Sequence, residues 1–358
     1  MKRREFGKIV GLNVLAMQLL PSFAVAESLK VPLGVCNHSL RSMGLNAQQL
    51  IEYANDQNLD SVLLNTLNPF TSLDRSFLSG LSKNANRNDV SIYVGVGSIS
   101  ERSTAFSNRY GSAEELLIEG IRVASIVGSP IVGCRIGSFE DRYSPGGIEQ
   151  HMEAVIQVMK AVGGKARDAG IKFAFENHKG DLRSEELMKI INETGTDICG
   201  VLFDPANALW AMEDPMIALE VLGSHIICTS VRDVAIWGTE EGAMFQGTTI
   251  GKGILDFPHF SEILSRLCPG VPFHVETISN SARPIPYRKP GFWDGYPELH
   301  TTEISGFLKL VNNGTPLTIE HPPAGMSQKN YDISIQQTEL LSSVSFLREE
   351  CNGGLKKY

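Results

Sequence analysis

Three acidic residues stand directly behind short apolar runs: Glu176 in Phe175-Glu176-Asn177-His178, Asp204 in Phe203-Asp204-Pro205-Ala206-Asn207, and Glu276 in His274-Val275-Glu276-Thr277. A carboxylate in such a place is costly unless something pairs with it, so each position points to a partner. Brought together, the three would repel one another, and a bound divalent cation is the natural resolution. Such a cation can chelate the hydroxyl and carbonyl oxygens of a ketose and acidify the adjacent C–H. Two carboxylates on opposite faces of the substrate can then remove and return a proton. Each residue also has a plainer reading. Asp204 precedes a proline and could be a turn former, and His178 could be a polar rim residue. A fourth run ends in Ser230-Val231-Arg232-Asp233, where Arg232 and Asp233 could pair with each other as a structural bridge. His38 and Arg135 also fall at the ends of apolar runs, within reach of a substrate, whereas His225 sits at the far end of its run, where a structural role is expected.

These side chains meet only if the runs are parallel strands. From Val31 onward, β-rich apolar runs alternate with helical ones about eight times. The spacing predicts strands over 31–38, 61–66, 91–97, 130–137, 172–178, 199–204, 226–233 and 272–279. Helices are expected over 47–55, 113–127, 148–168, 184–194, 215–223 and 257–267, with boundary signals at Ser184-Glu185-Glu186 and at Gly170. Eight such units without a composition break predict one closed parallel (β/α)8 barrel, whose strand C-termini converge on the site. A doubly wound open sheet would carry a glycine-rich phosphate turn, and no GxGxxG or Walker pattern is present. The stretches 234–255 and 278–299, after the seventh and eighth strands, are expected to lie over the mouth as irregular loops.

The residues now resemble a known family, the sugar isomerases and epimerases with the xylose-isomerase-like TIM barrel. The Glu-Asn-His after strand five, the Asp-Pro-Ala-Asn after strand six, Gly251-Lys252-Gly253-Ile254-Leu255-Asp256-Phe257 and the Glu after strand eight carry the likeness, over roughly residues 31 to 350. The resemblance implies Glu176, Asp204 and Glu276 as ligands of a divalent metal (Mn2+, Co2+, Mg2+ or Zn2+) and Glu176 and Glu276 as the acid–base pair. It also implies Arg232, His178 or Lys252 as groups that hold negative charge or hydroxyls of a small carbohydrate, with Asn207 and Arg135 as further candidate contacts to it. Strand seven departs from the pattern, with Ser230-Val231-Arg232-Asp233 where the family usually has His-x-Lys-Asp. Serine is a far poorer ligand than imidazole for Mn2+, Co2+ or Zn2+.

The expected activity is isomerisation or epimerisation through an enediolate. The same enolate chemistry serves a lyase or decarboxylase acting on a 3-keto-sugar or a sugar-derived keto acid. The strand-seven ending and the segment holding Arg283, Tyr287, Arg288, Trp293 and Tyr296 are similar to a subgroup of that kind, although those aromatics could equally be packing. A third possibility is an exported sugar-binding protein without catalysis. Endonuclease-type members of the family use more strand-end histidines than this chain offers.

The N-terminus reads as an export signal. Arg3-Arg4-Glu5-Phe6-Gly7-Lys8 precedes an apolar stretch from Ile9 to Leu20, then Pro21 and Ala24-Val25-Ala26, too short to span a membrane. The paired arginines resemble a twin-arginine signal, with Lys2 where Ser or Thr is more usual. Cleavage after Ala26 leaves residues 27–358 as the barrel, in the periplasm or outside the cell. It removes four basic residues and one acidic residue, taking the net charge from −8 to −11. An acidic protein is poorly suited to nucleic acid or to an anionic membrane surface. Cys36, Cys134, Cys199, Cys228, Cys268 and Cys351 form no CxxC pair and read mostly as buried thiols. Replacing Arg3 and Arg4 together by lysine is expected to block export; secretion of the double variant, followed by cell fractionation, would make the signal an ordinary Sec one.

Overall fold

The structure is a computed structural model that describes residues 30–278 and 280–356; the expected export segment lies outside the described residues. In chain order the strands are β1 (Leu33–Cys36), β2 (Ser61–Leu64), β3 (Ser91–Ser98), β4 (Ile131–Arg135), β5 (Lys172–Glu176), β6 (Cys199–Phe203), β7 (Ile226–Thr229), β8 (Asp233–Thr239), β9 (Gly242–Thr248), β10 (Phe273–Val275) and β11 (Ala282–Ile285). The helices are α1 (Ala47–Asp56), α2 (Arg75–Arg87), α3 (Ala113–Val127), α4 (Gly147–Asp168), α5 (Ser184–Thr194), α6 (Pro205–Trp210), α7 (Pro215–Leu222), α8 (Phe257–Leu267), α9 (Ser305–Asn313) and α10 (Gln328–Glu350).

Parallel pairing runs in the order β10-β1-β2-β3-β4-β5-β6-β7. The ring closes just beyond β7, where Val231 N donates to His274 O and Glu276 N donates to Val231 O, both at 2.8 Å. The result is a nearly closed (β/α)8 barrel. Local signals explain several helices around it. Asn46 with Gln49 and Ser112 with Glu115 form capping boxes at the starts of α1 and α3. Gly170, with φ of 66°, takes the left-handed conformation that lets the chain turn from α4 into β5.

Side-chain alternation along the strands divides the core in two. Val35, Leu64, Phe173, Val201 and Phe203 join the large apolar cluster under the helices. Cys36, Leu63, Ala174, Leu202 and Cys228 form a separate cluster inside the barrel. All six cysteines are buried and free.

The stretches 234–255 and 278–299 are not the irregular loops expected from the sequence. β8 and β9 form an antiparallel hairpin, and β11 pairs with β9 to complete a three-stranded sheet. Val234, Ile236 and Phe245 of this sheet pack with Trp210, Phe292, Tyr296 and Phe307 in an apolar cluster of their own. The segment thus folds because it has a core to bury, and it caps one side of the barrel mouth. Tyr287, Trp293 and Tyr296 belong to that packing, with Trp293 Nε1 donating to Tyr287 O at 2.9 Å.

At the opposite end of the barrel, Asp60 ties the first strand to the C-terminus. Its carboxylate accepts Leu33 N at 2.7 Å, Leu355 N at 2.9 Å and Lys356 N at 3.2 Å. Asp60→Ala strips these bonds to a charged group and is expected to lower the unfolding free energy by about 3 kcal/mol in urea titration, with an unchanged m-value.

Candidate active site at the barrel mouth

The inward-facing register continues past the last strand hydrogen bonds. Two residues beyond Ala174, Leu202, Cys228 and His274 come Glu176, Asp204, Ser230 and Glu276, so the same alternation that fills the barrel delivers these four to its mouth. One carboxylate oxygen from each of Glu176, Asp204 and Glu276 lies within 4.8 Å of the others, and all three residues are buried. Gly95 and Gly133 help form the floor of the pocket. At Gly95 an added Cβ would lie 2.8 Å from the Asn65 backbone. The remaining space has room for about one ion or water.

The surroundings hold each carboxylate differently. Asp204 caps α6, its Oδ1 accepting Ala206 N at 2.9 Å and Asn207 N at 3.3 Å. Asn177 clasps the Asp204 backbone on both sides, donating to its carbonyl and accepting its N–H, each at 2.9 Å. Asp204 Oδ2 lies 2.8 Å from Arg232 Nη2, yet the angle makes no hydrogen bond and this buried oxygen has no hydrogen-bond partner. Arg232 instead donates to Asn207 Oδ1. Arg135 Nη1 stands 3.7 Å from Glu176 Oε2, an ion pair without a hydrogen bond. Ser230 faces the pocket and its hydroxyl donates to Glu276 Oε2.

Burial pushes the Glu176 carboxyl above the usual carboxylate range; Arg135 opposes the shift, and Glu276 and Asp204 add to it. Burial likewise pushes Asp204 up to about 7, against the pull of Arg232. His178 is driven well below the usual imidazole range by burial and by Arg135. Its Nδ1 contacts the Gly137 carbonyl, which can only accept, so the neutral ring keeps its proton there and leaves Nε2 as an acceptor. His38, half-buried, is lowered by burial and raised by Glu276.

The structure therefore gathers Glu176, Asp204, Glu276, Asn207, Arg232, Arg135 and His178 at one place. It does not bring Lys252 there. Lys252 is exposed, because its loop is drawn onto Asp233 and α10. The Asp233 carboxylate accepts Val234 N (2.8 Å), Gly253 N (2.9 Å), Gly251 N (3.0 Å) and Leu255 N (3.2 Å). The suggested Arg232–Asp233 bridge is thus replaced by two separate roles. Consecutive residues of an extended segment point to opposite sides, Arg232 into the mouth and Asp233 toward the loop. A Cβ at Gly253 would sit 2.1 Å from Asp233 Oδ1, which accounts for the glycine.

Asp181 and Arg142 were not legible as site residues. Asp181, pushed up to about 7 by burial, accepts His178 N at 2.9 Å and Gly137 N at 3.2 Å, fixing the loop that carries His178. Arg142 donates to Gly180 O at 2.9 Å and Gly295 O at 3.1 Å, pairs with Glu186, and lies 4.1 Å from the Tyr296 ring centroid. Only the motif-rich strand ends signalled themselves; Arg142, and Asp181 through Gly137, join segments well separated in sequence.

Comparison with known proteins agrees with the barrel. The uncharacterized protein YihM of Escherichia coli (strain K12) is 24% identical over 247 residues, covering 68% of this chain and 69% of that protein. A crystal structure of D-psicose 3-epimerase with D-tagatose from Clostridium cellulolyticum H10 superposes with a TM-score of 0.60 at 13% identity, over 89% of this chain and 99% of that one. The structure of IolI protein with a bound zinc atom gives a TM-score of 0.54 at 13% identity, over 88% and 98%. At such identities the structural likeness is one of fold. The family model described as Xylose isomerase-like TIM barrel matches residues 41–292, and the chain belongs to that family.

Proposed function

We propose that the chain is a divalent-metal-dependent sugar isomerase or epimerase that works through an enediolate. The observation that carries this reading is the convergence of three buried carboxylates within 4.8 Å, one of them with an oxygen lacking any hydrogen bond. Those features fit a cation held by Glu176, Asp204 and Glu276, and the structural neighbours titled as D-psicose 3-epimerase and as zinc-bound IolI support it. When bound, a divalent metal supplies Lewis-acid polarisation of the substrate's carbonyl. The chain does the rest. Glu276, with one oxygen held by Ser230, takes the proton from the carbon next to the carbonyl. Glu176, on the strand across the mouth, gives one back from the other face. Arg232, Arg135, Asn207 and neutral His178 hold hydroxyls or negative charge on the substrate. By this reading the mature protein acts outside the cytoplasm.

Deuterium exchange is the direct test. Ketoses incubated in heavy water should gain deuterium at the carbon beside the carbonyl, and Glu176→Gln or Glu276→Gln should each slow exchange by about 100- to 10,000-fold. Release of an aglycone or of CO2 in place of exchange would move the assignment to a lyase or decarboxylase. Sugar binding with neither outcome would leave a binding protein.

Metal dependence has a separate signature in stability. Raised folded-state pKa values mean that, without metal, the folded chain binds more protons than the unfolded one from about pH 4 upward to about 8. The contribution is full at low pH and is lost as pH rises through that window. Thermal unfolding in EDTA should therefore show Tm falling between pH 5 and 8, with Mn2+ restoring it at pH 8. Asp204→Asn should flatten the slope and remove most of the Mn2+ effect. A Tm at pH 8 indifferent to every divalent metal tried would count against the metal.

A further inference from the structure

With room over the triad for about one ion or water, most of a substrate must lie elsewhere. A second cavity of about 160 Å3 opens beside it, room for a group of several heavy atoms though not for a whole large ligand. The two meet at Arg135, which lines both. Asn65 and Gly95 line the first, and the next residues in the chain, Thr66 and Val96, line the second.

The chemistry of the second cavity is distinctive. It is lined by Arg135, Arg109, Thr66, Ser98 and Ser107, and among the described residues no carboxylate lines it. In a chain of net charge −8 that is a locally basic lining. The groove beside Arg142, by contrast, is rimmed by Glu149, Glu185, Asp294, Glu298 and Glu303. Arg135 Nε is buried without a hydrogen-bond partner, and its Nη1, 3.7 Å from Glu176, makes no hydrogen bond there. Arg109 is steadied by Asn68 Oδ1 at 3.0 Å and by the Tyr110 ring, 5.3 Å away. A guanidinium with donors unspent is suited to an oxyanion, which accepts several of them at once.

We propose that this cavity is the subsite for an anionic group, a carboxylate or a phosphate, carried by the sugar substrate at the end remote from its reacting carbons. Arg135 and Arg109 hold that group while the reacting end lies over the triad. The inference rests on the proposed chemistry at the triad only for the placement of the reacting end.

Calorimetric titration of the full chain with D-glucose, D-glucuronate and D-glucose 6-phosphate tests it. At least one anionic sugar should bind about tenfold or more tightly than glucose, and raised salt should shrink the difference. Arg109→Met, on the exposed side of the cavity, should abolish the preference while changing glucose affinity less than about twofold, within experimental scatter. The anion that gains more identifies carboxylate or phosphate as the group recognised. Equal binding of all three sugars, or an undiminished preference in Arg109→Met, overturns the subsite. Mn2+ titration of the same proteins keeps the two readings apart. Metal binding without an anion preference removes the subsite alone, and an anion preference without metal binding removes the triad reading alone.

Discussion

Glu176, Asp204 and Glu276 approach one another from three strands in a space too small for bulk water, and the need to neutralise them is the constraint that the rest of the mouth answers. Arg135 and Arg232 supply two positive charges at the rim, Ser230 occupies one oxygen of Glu276, and α6 offers backbone N–H groups to Asp204. None of these completes the neutralisation, since two guanidiniums face three carboxylates. A buried carboxylate in that condition favours its proton or a cation, and the site is organised around that choice.

Rigid supports surround this unsettled centre. Asn177 fixes the Asp204 backbone from the neighbouring strand, Asp181 fixes the loop of His178, and Asp233 gathers three backbone N–H groups from the loop leading into α8. Each uses a short acid or amide to replace the sheet hydrogen bonds lost where the strands end. The capping sheet brings its own apolar cluster, so it covers the mouth without borrowing side chains from the barrel interior.

Much of this was legible in the sequence because period-two alternation is a local property. Once Ala174 and Leu202 are read as interior, Glu176 and Asp204 follow, and the eight strand–helix units place them at the same end. The capping hairpin was hidden because β8 and β9 are joined through Glu240-Glu241, which lacks the Asn-Gly or Asp-Gly signal of a tight hairpin. Adjacency made Arg232 and Asp233 look like partners, whereas the pleat separates them. Asp181, Arg142 and the destination of Lys252 depend on contacts between distant segments, which no local pattern encodes.

Arg142 has a mechanical consequence. Its guanidinium is shared among the β5–α5 loop through Gly180, α5 through Glu186, and the cap through Gly295 and Tyr296. Lifting the cap on that side would cost the guanidinium its Gly295 hydrogen bond and its contact with the Tyr296 ring, about 2 kcal/mol or more. The cap is thus tied by a charged peg to the side of the barrel where β5 ends, in addition to its own apolar cluster.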